Sequence, residues 1–167
     1  DLTYEFASDL LIVRGQFGSP VRALEPFLGG LSKFGSGELQ GQYNYRYQPS
    51  LALGRLDVVA DLKNVQIDLP SGFYTKPIGR VANGSVSVEF ENDRLVRVSN
   101  FRISSVDSQT AGRADFSAGA DDRTRIWFDS LELEGTSLTD VVVDILGQQI
   151  DVSVREGQVN LVAPVET

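Results

Sequence analysis

Residues 84–164 read GSVSVEFEN (84–92), DRLVRVSNFRI (93–103), SQTAGRADFSA (108–118), RTRIWFDSLELEG (123–135), LTDVVVDILG (138–147), QQIDVSVREG (148–157) and QVNLVAP (158–164). Most of these segments alternate apolar with polar side chains, and Gly, Asn or Asp residues stand between several of them. A period of two with short turns is typical of antiparallel strands with one apolar and one polar face. The stretch therefore predicts an antiparallel β-sheet, and we expect an all-β fold.

The first half of the chain extends the same pattern. Further strand-like segments lie at residues 1–17, 36–48 and 51–69. Residues 20–31 (PVRALEPFLGGL) have helical features, because they begin with proline and contain Gly29 and Gly30, which would end a helix. Pro26 interrupts them, so we expect at most one short helix near residues 20–31. No long linker divides the chain, and we expect a single domain over residues 1–167.

Composition excludes several classes of function. The chain has 15 basic and 23 acidic residues, for a formal charge of −8, which argues against nucleic acid and against electrostatic docking on an anionic membrane. It contains no Cys and no His, so disulfides, thiolate metal sites and the commonest general base are excluded. It also lacks Met, even at position 1, and we expect a fragment or a processed product of a longer protein.

The sequence does not match the common motifs of catalytic and metal-binding sites. There is no GxSxG, Walker, GxGxxG, HExxH or CxxC motif. Asp121–Asp122, and Asp140 with Asp144, could bind Ca²⁺ or act as paired carboxylates. The first pair, however, stands in a turn, and the second shares the polar side of one strand. We therefore expect no enzyme activity, no cofactor and no metal.

The apolar positions of the strands are the strongest positive signal. In a closed barrel or sandwich their common face would be core, whereas in an open, curled sheet it would line a groove suited to acyl chains. Alternation alone does not separate these outcomes. The candidate groove residues are Val86, Val88, Phe90, Leu95, Val98, Phe101, Ile103, Ile126, Phe128, Leu131, Leu133, Ile150, Val152 and Val154.

Two other features have alternative interpretations. Tyr43, Tyr45 and Tyr47 share one face of a strand, where they could stack on sugars or bases, although cross-strand packing on a half-buried sheet is the simpler interpretation. Lys76, in the loop sequence TKPIG, could contact an anionic group or a neighbouring module, or it could be a solvated loop residue.

Motifs at strand ends and turns carry a family resemblance over residues 59–164. They comprise ADLKNVQIDLP (60–70) with the following Lys76, Pro77 and Gly79, RLVRVSNFRISSVDSQTAGRADFS (94–117), FDSLELEGTSLTDVVVDI (128–145) and IDVSVREGQVNLVAPV (150–165). In order and spacing they resemble the superfamily of envelope lipid-transport proteins that includes the AsmA-like proteins, TamB and YhdP.

This resemblance implies a repeating β-groove, or β-taco, which is a highly curved antiparallel sheet. The chain would be one segment of a longer envelope protein that is anchored in the inner membrane and spans the periplasm. Its groove would shield phospholipid acyl chains between the inner and outer membranes. The implied partners are those acyl chains and the adjoining segments of the same protein, and no cofactor is implied.

A second interpretation comes from a different class of protein. The chain could be a self-contained β-sandwich that binds carbohydrate through Tyr43, Tyr45 and Tyr47, or a structural or adhesive module. If the apolar groove is open, it favours pairing through the open sheet edges or of one groove with another, so we also expect self-association of the isolated chain.

Overall fold

The computed structural model describes residues 2–5, 9–24, 35–68, 75–116, 123–133, 136–146 and 149–159. Within these ranges the chain forms β-strands and two short 3-10 turns, at Val21–Leu24 and Pro49–Leu51. The strands are β1 Leu2–Glu5, β2 Leu10–Pro20, β3 Gly35–Gln48, β4 Leu53–Asp61, β5 Val65–Asp68, β6 Thr75–Lys76, β7 Ala82–Glu91, β8 Arg94–Ser105, β9 Gln109–Phe116, β10 Arg123–Leu133, β11 Thr136–Leu146 and β12 Gln149–Val159.

Most of these strands form one antiparallel meander in the order β1-β2-β3-β4-β7-β8-β9-β10-β11-β12. Each strand pairs with its neighbours in the chain, except that β4 pairs with β7 because β5 and β6 leave the row. β1 and β12 are the two edges of this row, and the sheet is not closed into a barrel. The prediction of an all-β protein built on one antiparallel sheet is confirmed.

Two predicted boundaries differ in the structure. The short helix expected near residues 20–31 is a single 3-10 turn at Val21–Leu24, and residues 25–34 lie outside the described residues. The sequence predicts separate strands at 148–157 and 158–164. Instead, β12 continues through Gly157 to Val159, because β11 continues to pair with it as far as Thr136 opposite Val159, and residues 160–164 lie outside the described residues.

Bulges decide which side chains share a face. The register of β7 and β8 shifts twice, so that Leu95, Val98 and Phe101, each three residues apart, all lie opposite apolar residues of β7. The register of β9 and β10 shifts between Phe128 and Ser130. A bulge adds one residue to one strand, bends that strand and increases its twist.

A small cluster of buried side chains lies where β5 and β6 fold back onto the sheet. β5 pairs with the start of β3 and with β6, and we call the β5–β6 pair with the preceding residues 62–64 the flap. Backbone bonds tie it down: the amide of Glu38 donates to Asn64 O at 3.1 Å, and that of Gly79 to Lys63 O at 2.8 Å. The flap cluster consists of the buried residues Val21, Ala60, Leu62, Val65 and Ala82, with Phe17, Leu39, Ile67 and Ile103 packed against it.

Candidate functional site

The strand register brings the predicted groove residues to one face of the sheet. Phe128 on β10 lies opposite Gly112 on β9, which lies opposite Phe101 on β8. In the same way Val154 lies opposite Val141, which lies opposite Phe128. We call this side the apolar face and the opposite side the outer face. The register places on the apolar face Val86, Val88, Phe90, Leu95, Val98, Phe101, Ile103, Ile126, Phe128, Leu131, Val152 and Val154. The side chains of the other two predicted groove residues, Leu133 and Ile150, lie outside the described part of the structure.

Much of the apolar face remains accessible to solvent. Near the β12 edge, Val152 and Val154 are 61% and 49% exposed. Outside the flap cluster, the buried apolar residues of the described ranges are Ala114, Leu138 and Val141. Ile103 is the one predicted groove residue that packs against the flap cluster. The flap therefore covers one end of the face, whereas the part on β9 to β12 lies beneath no second layer of described residues.

Large side chains on the apolar face pack over glycines of adjacent strands. The rings of Phe101 and Phe128 meet edge to face, with their centroids 5.6 Å apart, across the glycine at position 112. A Cβ atom at that glycine would collide with the carbonyl oxygen of Trp127 and lie 2.7 Å from the Phe101 ring. The ring of Tyr43 covers Gly15 in the same manner. These pairs make the face a continuous aromatic and aliphatic surface with little polar backbone exposed.

The tyrosines belong to this same face. Tyr43, Tyr45 and Tyr47 lie opposite Val58, Leu56 and Gly54 of β4. Tyr45 stacks on Tyr47 with ring centroids 6.3 Å apart and contacts the edge of Phe90 at 6.5 Å. All three tyrosines are half-buried, which agrees with cross-strand packing rather than with an exposed stacking platform. Burial also raises the pKa of the Tyr45 hydroxyl above its ordinary value.

The outer face carries charged side chains that pair across the strands. Exposed ion pairs of this kind are each worth at most about 1 kcal/mol, so they define a polar surface more than they stabilise the fold. The hydrogen bond from Arg125, and secondly that from Arg123, hold the pKa of the Asp144 carboxyl below its usual range. Examples of the pairs are Arg46–Asp57 at 3.3 Å, Arg55–Glu89 at 3.7 Å, Arg97–Asp115 at 2.8 Å and Arg125–Asp144 at 2.6 Å.

Lys76 lies inside the flap and is fully buried. Its ammonium group donates to Val65 O at 2.7 Å and to Pro77 O at 3.3 Å. The interpretation of Lys76 as a solvated loop residue is therefore wrong: β6 turns this side chain inward, where it bonds backbone carbonyls. Burial lowers the pKa of the Lys76 amine, because removal from water disfavours the charged form.

Replacing Lys76 by methionine, which has a similar volume, is expected to change how stability depends on pH. The side-chain amine of lysine in an unfolded chain has a pKa of about 10.4. Because the folded-state pKa is lower, the folded state loses this proton first, and the unfolded state binds more protons at pH values between the two pKa values. The stability of the wild type therefore rises with pH in that window. The free energy of unfolding of the wild type, minus that of Lys76→Met, should increase between pH 7 and pH 10 in urea titrations. Parallel pH profiles for the two proteins would contradict this assignment.

A cluster of side chains that could bind a metal ion is not found in the described ranges. No cluster of three or more His, Cys, Asp or Glu residues occurs there. Asp140 and Asp144 both pair with arginines on the outer face, Asp140 with Arg155 at 3.4 Å, and Asp121–Asp122 lie outside the described residues. The absence of enzyme activity, cofactor and metal stays a prediction.

Among the residues described, no helix has the length and apolar character needed to cross a membrane. Comparison of the chain with protein-family models, with curated proteins and with solved structures found no match. The resemblance to the AsmA-like superfamily therefore stays a prediction that depends on the strand-end motifs.

Proposed function

We propose that this chain is a non-enzymatic segment of a lipid-transfer conduit, in which the apolar face shields phospholipid acyl chains. The single observation that carries the proposal is the accessible apolar face on β9 to β12, with Val152 and Val154 about half exposed or more. An exposed and continuous apolar surface of this kind marks a site that a ligand or partner covers. The two faces of the sheet differ in this respect, because the charged outer face stays hydrated while the apolar face binds hydrocarbon.

Energetics favour an acyl chain as the occupant. Each methylene that leaves water contributes about 0.8 kcal/mol, so even partial cover of a chain of many methylenes is favourable. A surface of Val, Leu, Ile and Phe without a deep cavity gives similar affinity at neighbouring positions. A bound chain can then slide along it, since no single position traps it. Among the described residues of β10, Thr124 is the one polar residue on the apolar face. An acyl chain therefore meets few polar groups there that would impose one orientation on it.

The wider setting of the proposal is supported by the resemblance. As a segment of a longer envelope protein, the chain would lie in the periplasm, where adjoining segments would continue the sheet. The edge strand β12 suits such pairing, because residues 151–158 are exposed and described strands pair it only with β11. An unpaired edge accepts a further strand through its backbone groups. The same edge would support self-association of the isolated chain.

The alternative of a carbohydrate-binding β-sandwich has less support. The strands form one open sheet with a flap instead of two packed sheets, and Tyr43, Tyr45 and Tyr47 pack on the apolar face. We therefore do not propose a glycan site at the tyrosines.

The test is native mass spectrometry of the purified chain after incubation with dioleoyl phosphatidylcholine vesicles. Phe128→Asp places a carboxylate in the middle of the apolar face, and Val59→Asp makes the same change at a valine that is 60% exposed on the outer face. We expect lipid adducts in the wild type and in Val59→Asp, and at least a tenfold loss in Phe128→Asp. Tenfold corresponds to only about 1.4 kcal/mol, less than the cost of desolvating a carboxylate.

Circular dichroism should show the same β-sheet signal for both variants as for the wild type. A wild type that takes up no lipid, or equal uptake by Phe128→Asp and the wild type, would overturn the proposal. A dimer free of lipid, which Phe128→Asp converts to a monomer, would show that a second copy covers the face instead.

A further inference from the structure

The single tryptophan of the chain lies on the polar side of the sheet. Trp127 alternates with the apolar-face residues Ile126 and Phe128, and its partners Arg113 on β9 and Val142 on β11 share its outer face. The guanidinium carbons of Arg113 and Arg125 lie 5.1 Å and 5.7 Å from the centroid of its ring system. Packing of the apolar face does not require an indole here, and the two arginines hold it in place.

A shallow pocket of about 400 Å³ opens beside this tryptophan. Arg125 lies two residues before Trp127 on β10 and does not line the pocket. The pocket extends in the other direction along the strand, toward Asp129. Its lining consists of the outer-face residues Arg113, Trp127, Asp129, Asp140, Val142, Ser153 and Arg155, together with Phe128, Val141 and Val154 between them on the same strands. We call it the Trp127 pocket.

Irregular backbone directs the polar groups into this region. Asp129 is the extra residue at the bulge between β9 and β10, and Asp140 beside it on β11 has a left-handed φ of 51°. Asp tolerates this conformation, but it is uncommon within a strand. Bulges and strained positions re-aim side chains and are concentrated at functional sites. Here they accompany two aspartates that line the same pocket as Trp127.

The charges around the pocket balance each other. Arg113 pairs with Asp129 at 3.2 Å, and Arg155 pairs with Asp140 at 3.4 Å. A phosphate group would compete with both carboxylates for these arginines, which disfavours an anionic ligand. A neutral ligand with many hydroxyl groups can instead donate to the carboxylates and accept from the arginines, because each ion has unused hydrogen-bonding capacity. Its apolar ring face can then lie against the indole.

From this combination we infer that the Trp127 pocket binds the sugar ring of a neutral glycan on the outer face of the sheet. A sugar ring has one face of C–H groups, which packs on an aromatic surface, and an equatorial rim of hydroxyl groups. The pocket supplies partners for both in one place. The polar side chains of this site lie on the opposite side of the sheet from the proposed acyl-chain surface, although Phe128, Val141 and Val154 belong to both.

Because Trp127 is the only tryptophan, its fluorescence reports the site directly. The wild type should be titrated with glucose, galactose, mannose, N-acetylglucosamine and their disaccharides, with inorganic phosphate and dioleoyl phosphatidylcholine vesicles as further probes. We expect a saturable change in emission with at least one neutral sugar and none with phosphate. Asp140→Asn keeps the fluorophore and tolerates the left-handed backbone, and it should weaken that sugar about tenfold or more.

The matched control is Asp151→Asn, an exposed aspartate on β12 that does not line the pocket, which should bind the sugar as the wild type does. Calorimetry with Trp127→Ala should show no sugar binding, while lipid adducts in native mass spectrometry remain. No saturable response to any neutral sugar would overturn the inference. So would a response to vesicles or phosphate alone, or equal sugar affinity of Asp140→Asn and the wild type.

Discussion

Replacing Gly112 by alanine is expected to lower the free energy of unfolding by about 3 kcal/mol, near the upper end of overpacking effects. The added methyl group would collide with the carbonyl oxygen of Trp127, which is backbone and cannot rotate away, and would lie 2.7 Å from the Phe101 ring. Accommodation requires either a shift of β10 against β9 or separation of the Phe101 and Phe128 rings. Urea unfolding followed by circular dichroism measures the change.

Gly18→Ala is the control for this substitution. Gly18 lies in the same kind of structure, on β2, but a Cβ atom there meets nothing within 4 Å. Alanine also reduces the freedom of the unfolded chain, so Gly18→Ala should be neutral or slightly stabilising. Equal effects of the two substitutions would show that loss of glycine itself, and not the ring packing over Gly112, determines the stability.

Leu62→Ala is expected to destabilise the flap by about 3 kcal/mol while the rest of the sheet stays paired. Leu62 is 8% exposed in the flap cluster, and truncation of a buried leucine removes apolar contacts and leaves a cavity. Hydrogen exchange should therefore quicken at residues 62–68 and 75–79 but not on β10 and β11. Binding of an apolar dye should also increase, because the covered end of the apolar face becomes accessible.

Leu51→Ala provides the comparison, since it deletes the same atoms from a leucine that is 58% exposed. Its effect should stay below about 1 kcal/mol, because little apolar area returns to water. If exchange quickened equally on β10 and β11 in Leu62→Ala, the flap and the meander would be one cooperative unit, and the separation of the two would be wrong.

The apolar face could be predicted from sequence because it depends on local spacing. Alternation of apolar and polar residues places the apolar ones on one face of a strand. Interruptions of the alternation are also informative, since Leu95, Val98 and Phe101 are three residues apart, as are Phe128 and Leu131. Such a spacing, within a segment that otherwise alternates, indicates a bulge that restores the face. The register confirms this at both places. That signal was present, although the bulges themselves were not predicted.

The flap and the Trp127 pocket could not be predicted in the same way. The flap depends on β5 leaving the row to pair with the start of β3, and the spacing of apolar residues in 65–69 is the same for either arrangement. The burial of Lys76 is a consequence of that fold-back. It could not be predicted, because a lysine before proline in a sequence indicates a surface loop. The Trp127 pocket combines residues from four strands, β9 to β12, whose alignment depends on the bulge at Asp129.

The meander has a consequence for the order in which the protein acquires its structure. Because almost every strand pairs with its neighbours in the chain, most junctions close hairpin loops, and such pairings cost less loop-closure entropy than pairings of strands distant in sequence. Each new hairpin can add to an edge that already exists, in the manner of repeat proteins that grow from one end. Two junctions are exceptions: β4 joins β7 only after the intervening flap residues are looped out, and residues 21–34 separate β2 from β3. We expect the other hairpins to form first, and the closing of these two junctions to be the slow steps.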